Sequence, residues 1–116
     1  MRIIGQEKGK NFLIMSRLAR FLSKAVSDID EIYYYIAQDN PLAAASFLDS
    51  LENTVLRIRD FPYMGVARYQ PVFENLRFLT VSDFPKYLVW YMVTEQYVEI
   101  VRILHSSTNI HEGAFY

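Results

Sequence analysis

The C-terminal half of the chain contains side chains with the chemistry needed to cleave a phosphodiester bond. That reaction needs a base to activate the nucleophile, an acid for the leaving oxygen and cations for the developing negative charge. Residues of these types are Arg77, Lys86, Tyr87, Tyr91, Arg102 and His105. All of them fall on predicted strands or on the turns between them, so they could converge. A lone histidine at a strand end is more often structural than catalytic, so catalysis by His105 is one alternative among several.

The charge balance argues against a protein that grips nucleic acid. The formal net charge is −1 over 116 residues, whereas capture of a phosphate backbone needs a stripe of Lys and Arg. After residue 60 the basic side chains are Arg68, Arg77, Lys86 and Arg102. We therefore expect no strong direct binding to nucleic acid.

The usual motifs of metal and cofactor chemistry are also missing. The chain has no Cys, which excludes thiolate metal sites and disulfides and fits a reducing cytoplasm. His105 and His111 are six residues apart, which is not a metal-ligand spacing, and the sequence has no Gly-rich phosphate loop. A run of about 18 apolar residues, as a membrane span requires, does not occur. We expect a cytoplasmic protein with neither metal nor cofactor.

The length of the chain supports one domain with a single core. We interpret residues 1–14 as an extension outside the fold, because charged residues interrupt its apolar positions, and residues 15–116 as the domain. Residues 16–22 alternate in polarity as a strand does.

Two helices are expected next. Ser23 is a suitable N-cap for a helix over residues 24–39, and the apolar positions of this helix form one face: Ala25, Ile29, Ile32 and Ile36. Asp28 lies off that face. Asn40 and Pro41 suit the N-cap and first position of a second helix, which must end at Pro62. With almost no loop between them, the two helices predict an antiparallel hairpin.

Three strands complete the prediction. Pro62–Gly65 is a turn signal, Pro71 suits a sheet edge, and Asp83–Pro85 predicts a turn. The strands are residues 76–81, 87–93 and 97–105, the last two joined at Thr94–Gln96. The order predicts an α+β domain, with a helical hairpin on one face of a mainly antiparallel sheet. The open, aromatic-rich face would suit a partner or a second copy in a homodimer.

These segments together resemble a known family. They are AVSDIDEIYYYIAQDNPLAAASFLDSL, FPYMG, LRFL and KYLVWYMVTEQYVEIVRILHSSTNI. In this order, over about residues 16–110, they resemble the ParE/RelE superfamily of bacterial toxin–antitoxin (plasmid stabilisation) toxins. The long helical hairpin is more similar to the ParE branch.

The resemblance implies a toxin that is neutralised by a cognate antitoxin and that inhibits DNA gyrase by binding, not by hydrolysis. The expected contact residues for target or antitoxin are Arg68, Arg77, Lys86, Arg102, His105 and Asn109. An alternative is a RelE-like ribosome-dependent mRNA endoribonuclease that uses Arg77, Arg102 and His105, although such relatives use clustered Lys and Arg and this chain has a single Lys after residue 24. A third interpretation is an interaction module without toxicity.

Overall fold

The computed structural model describes residues 2–4, 17–69, 72–73 and 75–115. In chain order its elements are β1 (Arg2–Ile4), β2 (Leu18–Phe21), α1 (Ser23–Asp39), α2 (Pro41–Asp60), β3 (Val66–Ala67), β4 (Leu76–Val81), β5 (Phe84–Val93), β6 (Tyr97–His105) and a 3-10 helix (Glu112–Phe115). In this part of the chain no helix combines the length and the apolar character that a membrane span requires. Pro71, which we expected at a sheet edge, lies outside the described residues.

The helical hairpin forms for the local reasons that the sequence indicates. Asn40 accepts a hydrogen bond from the backbone N–H of Ala43 at 3.0 Å, and Pro41 occupies the first turn of α2. This satisfies one of the backbone donors that a helix start leaves unpaired. The expected cap of α1 is wrong: Leu22 occupies the cap position without a side-chain bond, and Ser23 is already helical.

The strands form one mixed sheet in the order β1-β2-β6-β5-β4-β3. Among the described strands, β2 and β6 run parallel and the other neighbours are antiparallel. The sheet has more strands than predicted, because β1 and β3 are too short for a period to be visible in the sequence. The predicted turn over Asp83–Pro85 is also shorter than expected: Asp83 takes a left-handed backbone angle (φ 65°), and β5 begins at Phe84.

β1 falls within the segment that we expected outside the fold. Arg2 pairs with Phe21 and Ile4 with Ala19, which makes β1 an edge strand of the sheet. Residues 5–16 lie outside the described residues, so the boundary at residue 14 stays a prediction.

Each face of the sheet carries a hydrophobic cluster. On the helical face, Phe47 of α2 is fully buried and packs edge-on against Phe84 and Tyr87, with ring centroids 5.4 and 5.3 Å away. On the far face, Trp90 is buried among aromatic rings, with Phe78 and Phe115 each at 4.9 Å. Ala114 and Phe115 of the C-terminal segment therefore cover part of the sheet face that we expected to be open.

Candidate functional site

A groove of about 670 Å³ lies between α1 and the C-terminal end of β6. We call it the α1–β6 groove. One face of α1 forms its first wall: Asp28, Glu31, Ile32 and Tyr35. The second wall is Tyr87 of β5, residues 102–105 of β6, and Ser107 and Thr108 of the following turn. Of the residues singled out in the sequence, Tyr87, Arg102 and His105 lie in this groove.

The groove exists because β2 ends before β6 does. The parallel pairing runs from Leu18–Tyr97 to Phe21–Ile100, and beyond Ile100 no described strand pairs with the outer edge of β6. A register shift in the pairing of β5 with β6, between Trp90 and Tyr91, changes which backbone N–H groups of β6 face away from β5. Past the shift, the backbone N–H of Ile103 points outward and donates to Asp28 Oδ2 at 3.0 Å. The Asp28 carboxylate of α1 thus accepts the hydrogen bond that a longer β2 would otherwise accept at this edge of β6.

Asp28 also holds Arg102 in a two-point ion pair. Arg102 Nε donates to Asp28 Oδ2 at 2.7 Å and Arg102 Nη2 to Asp28 Oδ1 at 2.8 Å, while Nη1 donates to the carbonyl of Ala114 at 2.7 Å. The hydrogen bond to Asp28 raises the pKa of Arg102 above its ordinary value. Burial opposes this shift, and the charges of Asp28 and Glu31 add smaller contributions that favour the charged guanidinium. All three guanidinium nitrogens are therefore engaged in joining α1, β6 and the C-terminal segment.

His105 is oriented by the turn that follows β6. The backbone N–H of Ser107 donates to His105 Nδ1 at 3.0 Å, and the hydroxyl of Ser107 lies 2.7 Å from the same nitrogen. Because Nδ1 accepts the backbone N–H, the neutral imidazole carries its proton on Nε2. The ring meets Tyr87 edge-on with centroids 5.1 Å apart.

Two phenols border the groove. Burial raises the pKa of Tyr87, and the neighbouring Tyr35 adds a smaller contribution in the same direction. Tyr35 itself is 68% exposed. The Tyr87 phenol therefore remains neutral at physiological pH, and both rings present aromatic surface to a ligand.

Arg77 belongs to a different part of the molecule. Its Nη1 donates to the carbonyls of Tyr63 and Gly65 at 3.3 and 3.0 Å, and its guanidinium lies 5.2 Å from the Tyr63 ring centroid. The buried hydroxyl of Tyr91 donates to Pro62 O at 2.8 Å and accepts the Gly65 N–H at 2.9 Å. Arg77 and Tyr91 thus hold the turn after α2 against the sheet.

The remaining candidates are surface residues outside the groove. Arg68 is exposed, with its guanidinium 5.7 Å from the Phe78 ring centroid. Lys86 and Asn109 are exposed. They are available to a partner at the surface.

The structure separates Arg77 from the other two candidate catalytic side chains, Arg102 and His105. Arg77 lies opposite Tyr91 and Arg102 lies opposite Trp90. Tyr91 and Trp90 are consecutive and pack into the clusters on the two different faces of the sheet, as alternation along a strand requires. The two arginines therefore start from opposite faces. In the described ranges, no group of three or more His, Cys, Asp and Glu residues could hold a metal ion.

The sequence analysis missed three side chains of the groove: Asp28, Glu31 and Tyr35. Asp28 had been placed off the buried face of α1, yet it is only 7% exposed. Its spacing to the others was the available signal, because residues separated by three and four positions share one face of a helix. What the spacing could not show is that this face meets the open edge of β6.

A helical hairpin on one face of a mixed, mainly antiparallel sheet is the architecture of the ParE/RelE-like α+β toxins. The family model described as "ParE toxin of type II toxin-antitoxin system, parDE" matches residues 19–110. This chain therefore belongs to the ParE toxin family.

A solved structure described as "Chromosomal ParDE TA system from P. aeruginosa" contains a similar chain. The two chains are 22% identical in sequence, the match covers 78% of this chain and 96% of the other, and the TM-score is 0.62. At this identity the similarity shows a shared fold. No curated protein matches significantly.

Proposed function

We propose that this ParE-family toxin inhibits DNA gyrase by binding to it, in the bacterial cytoplasm, without cleaving a substrate. The observation that carries the proposal is the separation of Arg77 from Arg102 and His105. A ribonuclease needs its cations at the phosphate that reacts. Both arginines are instead bonded to parts of this chain, and their use against a phosphate would break contacts that hold the fold.

Exposed apolar side chains support a function in protein binding. Phe61, Tyr63, Met64 and Val66 follow one another from the end of α2 to β3, and each is between 42% and 67% exposed. A contiguous group of this kind is typical of protein–protein contact. Arg68, which is exposed next to this group, is a candidate contact for gyrase.

A cognate antitoxin is the second proposed partner. The description of the similar P. aeruginosa structure as a ParDE system supports this proposal. The candidate contacts for the antitoxin are the half-buried His105, where β6 ends, and the exposed Lys86 and Asn109. Self-association into a homodimer stays a prediction, and measuring the mass of the free toxin by light scattering would test it.

Expression without antitoxin separates the possible functions. We expect growth arrest with relaxed plasmid DNA and intact transcripts, and a weaker effect in the Arg68→Ala variant. Glu52→Gln is the control, because it changes an exposed charge on α2 that lies outside the proposed contact group and Arg68. Ribosome-dependent mRNA cuts that disappear in His105→Ala would contradict the proposal and favour the ribonuclease. Normal growth with a folded protein would favour a module without toxicity.

A further inference from the structure

The α1–β6 groove carries an excess of negative charge. Two carboxylates and one guanidinium line it. The guanidinium of Arg102 is bonded to Asp28, whereas Glu31 is exposed and forms no ion pair with any residue that the structure describes. Glu31 therefore acts on Arg102 only at a distance, and among the described residues its carboxylate has no direct ion-pair partner.

Aromatic surface lies beside the Glu31 carboxylate. Tyr35 is one helical turn after Glu31 on the same face of α1, and Tyr87 lies across the groove. The negative face of a phenol ring attracts a cation, and the attraction grows when the cation is partly desolvated. A carboxylate with two phenols is thus a site for a cation, and it offers little to an anion such as a phosphate.

The same chain already holds a guanidinium in this way. Arg20 lies 3.7 Å from the Tyr97 ring centroid. Its Nη2 and Nε also donate to Glu99 Oε2 at 2.6 and 2.9 Å. The planar guanidinium suits such a pairing better than an ammonium, because it can stack on the ring and form a fork with the carboxylate. In the groove, Glu31 lies with the rings of Tyr35 and Tyr87, whereas the groove's own arginine, Arg102, is bonded to Asp28.

We propose that the α1–β6 groove receives an arginine side chain from a protein partner, with Glu31 pairing to the guanidinium and Tyr35 and Tyr87 stacking against it. The proposal rests on the proposed function, in which an antitoxin segment is the partner that brings this arginine. Charge complementarity selects the occupant. The half-buried Ile32 and the buried Leu104 also line the groove, so an arginine flanked by apolar residues fits it better than a free cation does.

A peptide titration of the purified toxin, prepared by cell-free synthesis, tests the proposal. The probes are acetyl-Leu-Arg-Leu-amide, the same peptide with neutral citrulline in place of arginine, and the free cation agmatine. NMR signals of Tyr35, Tyr87 and His105 report on the groove. We expect saturable shifts with the arginine peptide and about tenfold weaker binding of the citrulline peptide, from loss of the ion pair and the cation–π contacts.

Substitutions at exposed residues separate an effect on binding from an effect on folding. Glu31→Gln should weaken the arginine peptide about threefold, as expected for one partly solvated ion pair, whereas Glu52→Gln on α2 should leave it unchanged. Tyr35→Phe keeps the ring and should bind nearly as well as the parent, and Tyr35→Ala should bind more weakly. The native fold of each variant is checked by circular dichroism.

Four results would overturn the proposal. Three are an absence of saturable shifts, equal binding of the arginine and citrulline peptides, and unchanged affinity in Glu31→Gln. The fourth is agmatine binding as tightly as the peptide, which would favour a site for a free cation. Gyrase is absent from this titration, so a failure here leaves gyrase inhibition standing, and failure of gyrase inhibition leaves the peptide result intact.

Discussion

Replacement of Asp28 by asparagine should destabilise the toxin severely. Asp28 accepts hydrogen bonds from Arg102 Nε, Arg102 Nη2 and the Ile103 N–H. Asparagine has the same size but carries no charge, and one of its two terminal atoms is a donor. It therefore cannot accept all three bonds, and the guanidinium of Arg102 is left with the carbonyl of Ala114 as its main partner.

The expected loss in the free energy of unfolding is about 3 kcal/mol, which is typical when one partner of a buried ion pair is removed. The side chains of Asp28 and Arg102 are 8% and 20% exposed, against 20% and 27% for Glu99 and Arg20. Glu99→Gln removes a charge from that more exposed pair and should cost about 1 kcal/mol or less. It is the matched control.

Urea unfolding at pH 7 measures both variants. With a slope of about 1.5 kcal/mol per M, Asp28→Asn should lower the urea midpoint by about 2 M. A double-mutant cycle with Arg102→Met isolates the pair, because the second substitution should cost far less once the first is present. Equal losses in Asp28→Asn and Glu99→Gln, or additive losses in the cycle, would refute the account of Asp28 as the residue that closes the edge of β6.

Other substitutions test the turn, the caps and the phenols. Tyr91→Phe leaves Pro62 O and the Gly65 N–H without their partner and should cost about 1–3 kcal/mol in urea unfolding. Gly65→Ala should cost a similar amount, because its Cβ would lie against the Tyr91 hydroxyl and 2.8 Å from a backbone carbonyl. Burial raises the pKa of Tyr91 above 10.0; the folded state thus holds this proton longer than the unfolded chain does, so stability should fall as the pH rises above about 10, and less steeply in Tyr91→Phe. Asn40→Ala should cost about 1 kcal/mol through loss of the α2 cap, whereas thermal melting should show no loss for Ser23→Ala, since Ser23 forms no cap.

The elements that the sequence predicted correctly are those determined by neighbouring residues. The hairpin at Asn40 and Pro41 depends on a local cap and on the missing N–H of proline. β4 appears at the predicted residues, and β6 also begins and ends where expected, because alternation and the turn at Thr94–Gln96 are visible in the sequence. β3 was missed because two residues carry no period.

The site depends on contacts between distant parts of the chain, and for that reason it was predicted only in part. Arg102 and His105 were singled out, and both lie in the groove. The burial of Asp28 could not be predicted, because it depends on β2 ending at Phe21 and leaving the Ile103 N–H unpaired. The position of Arg77 could not be predicted either, because the sheet face on which it lies depends on its pairing with Tyr91 of the neighbouring strand β5.

Inhibition of gyrase with purified components tests the central claim most directly. The toxin is added to gyrase, ATP and relaxed plasmid, and the same preparation is incubated with translating ribosomes and mRNA. We predict loss of supercoiling that depends on toxin concentration, together with mRNA that remains intact. Full supercoiling activity alongside mRNA cuts at the ribosome would contradict the account.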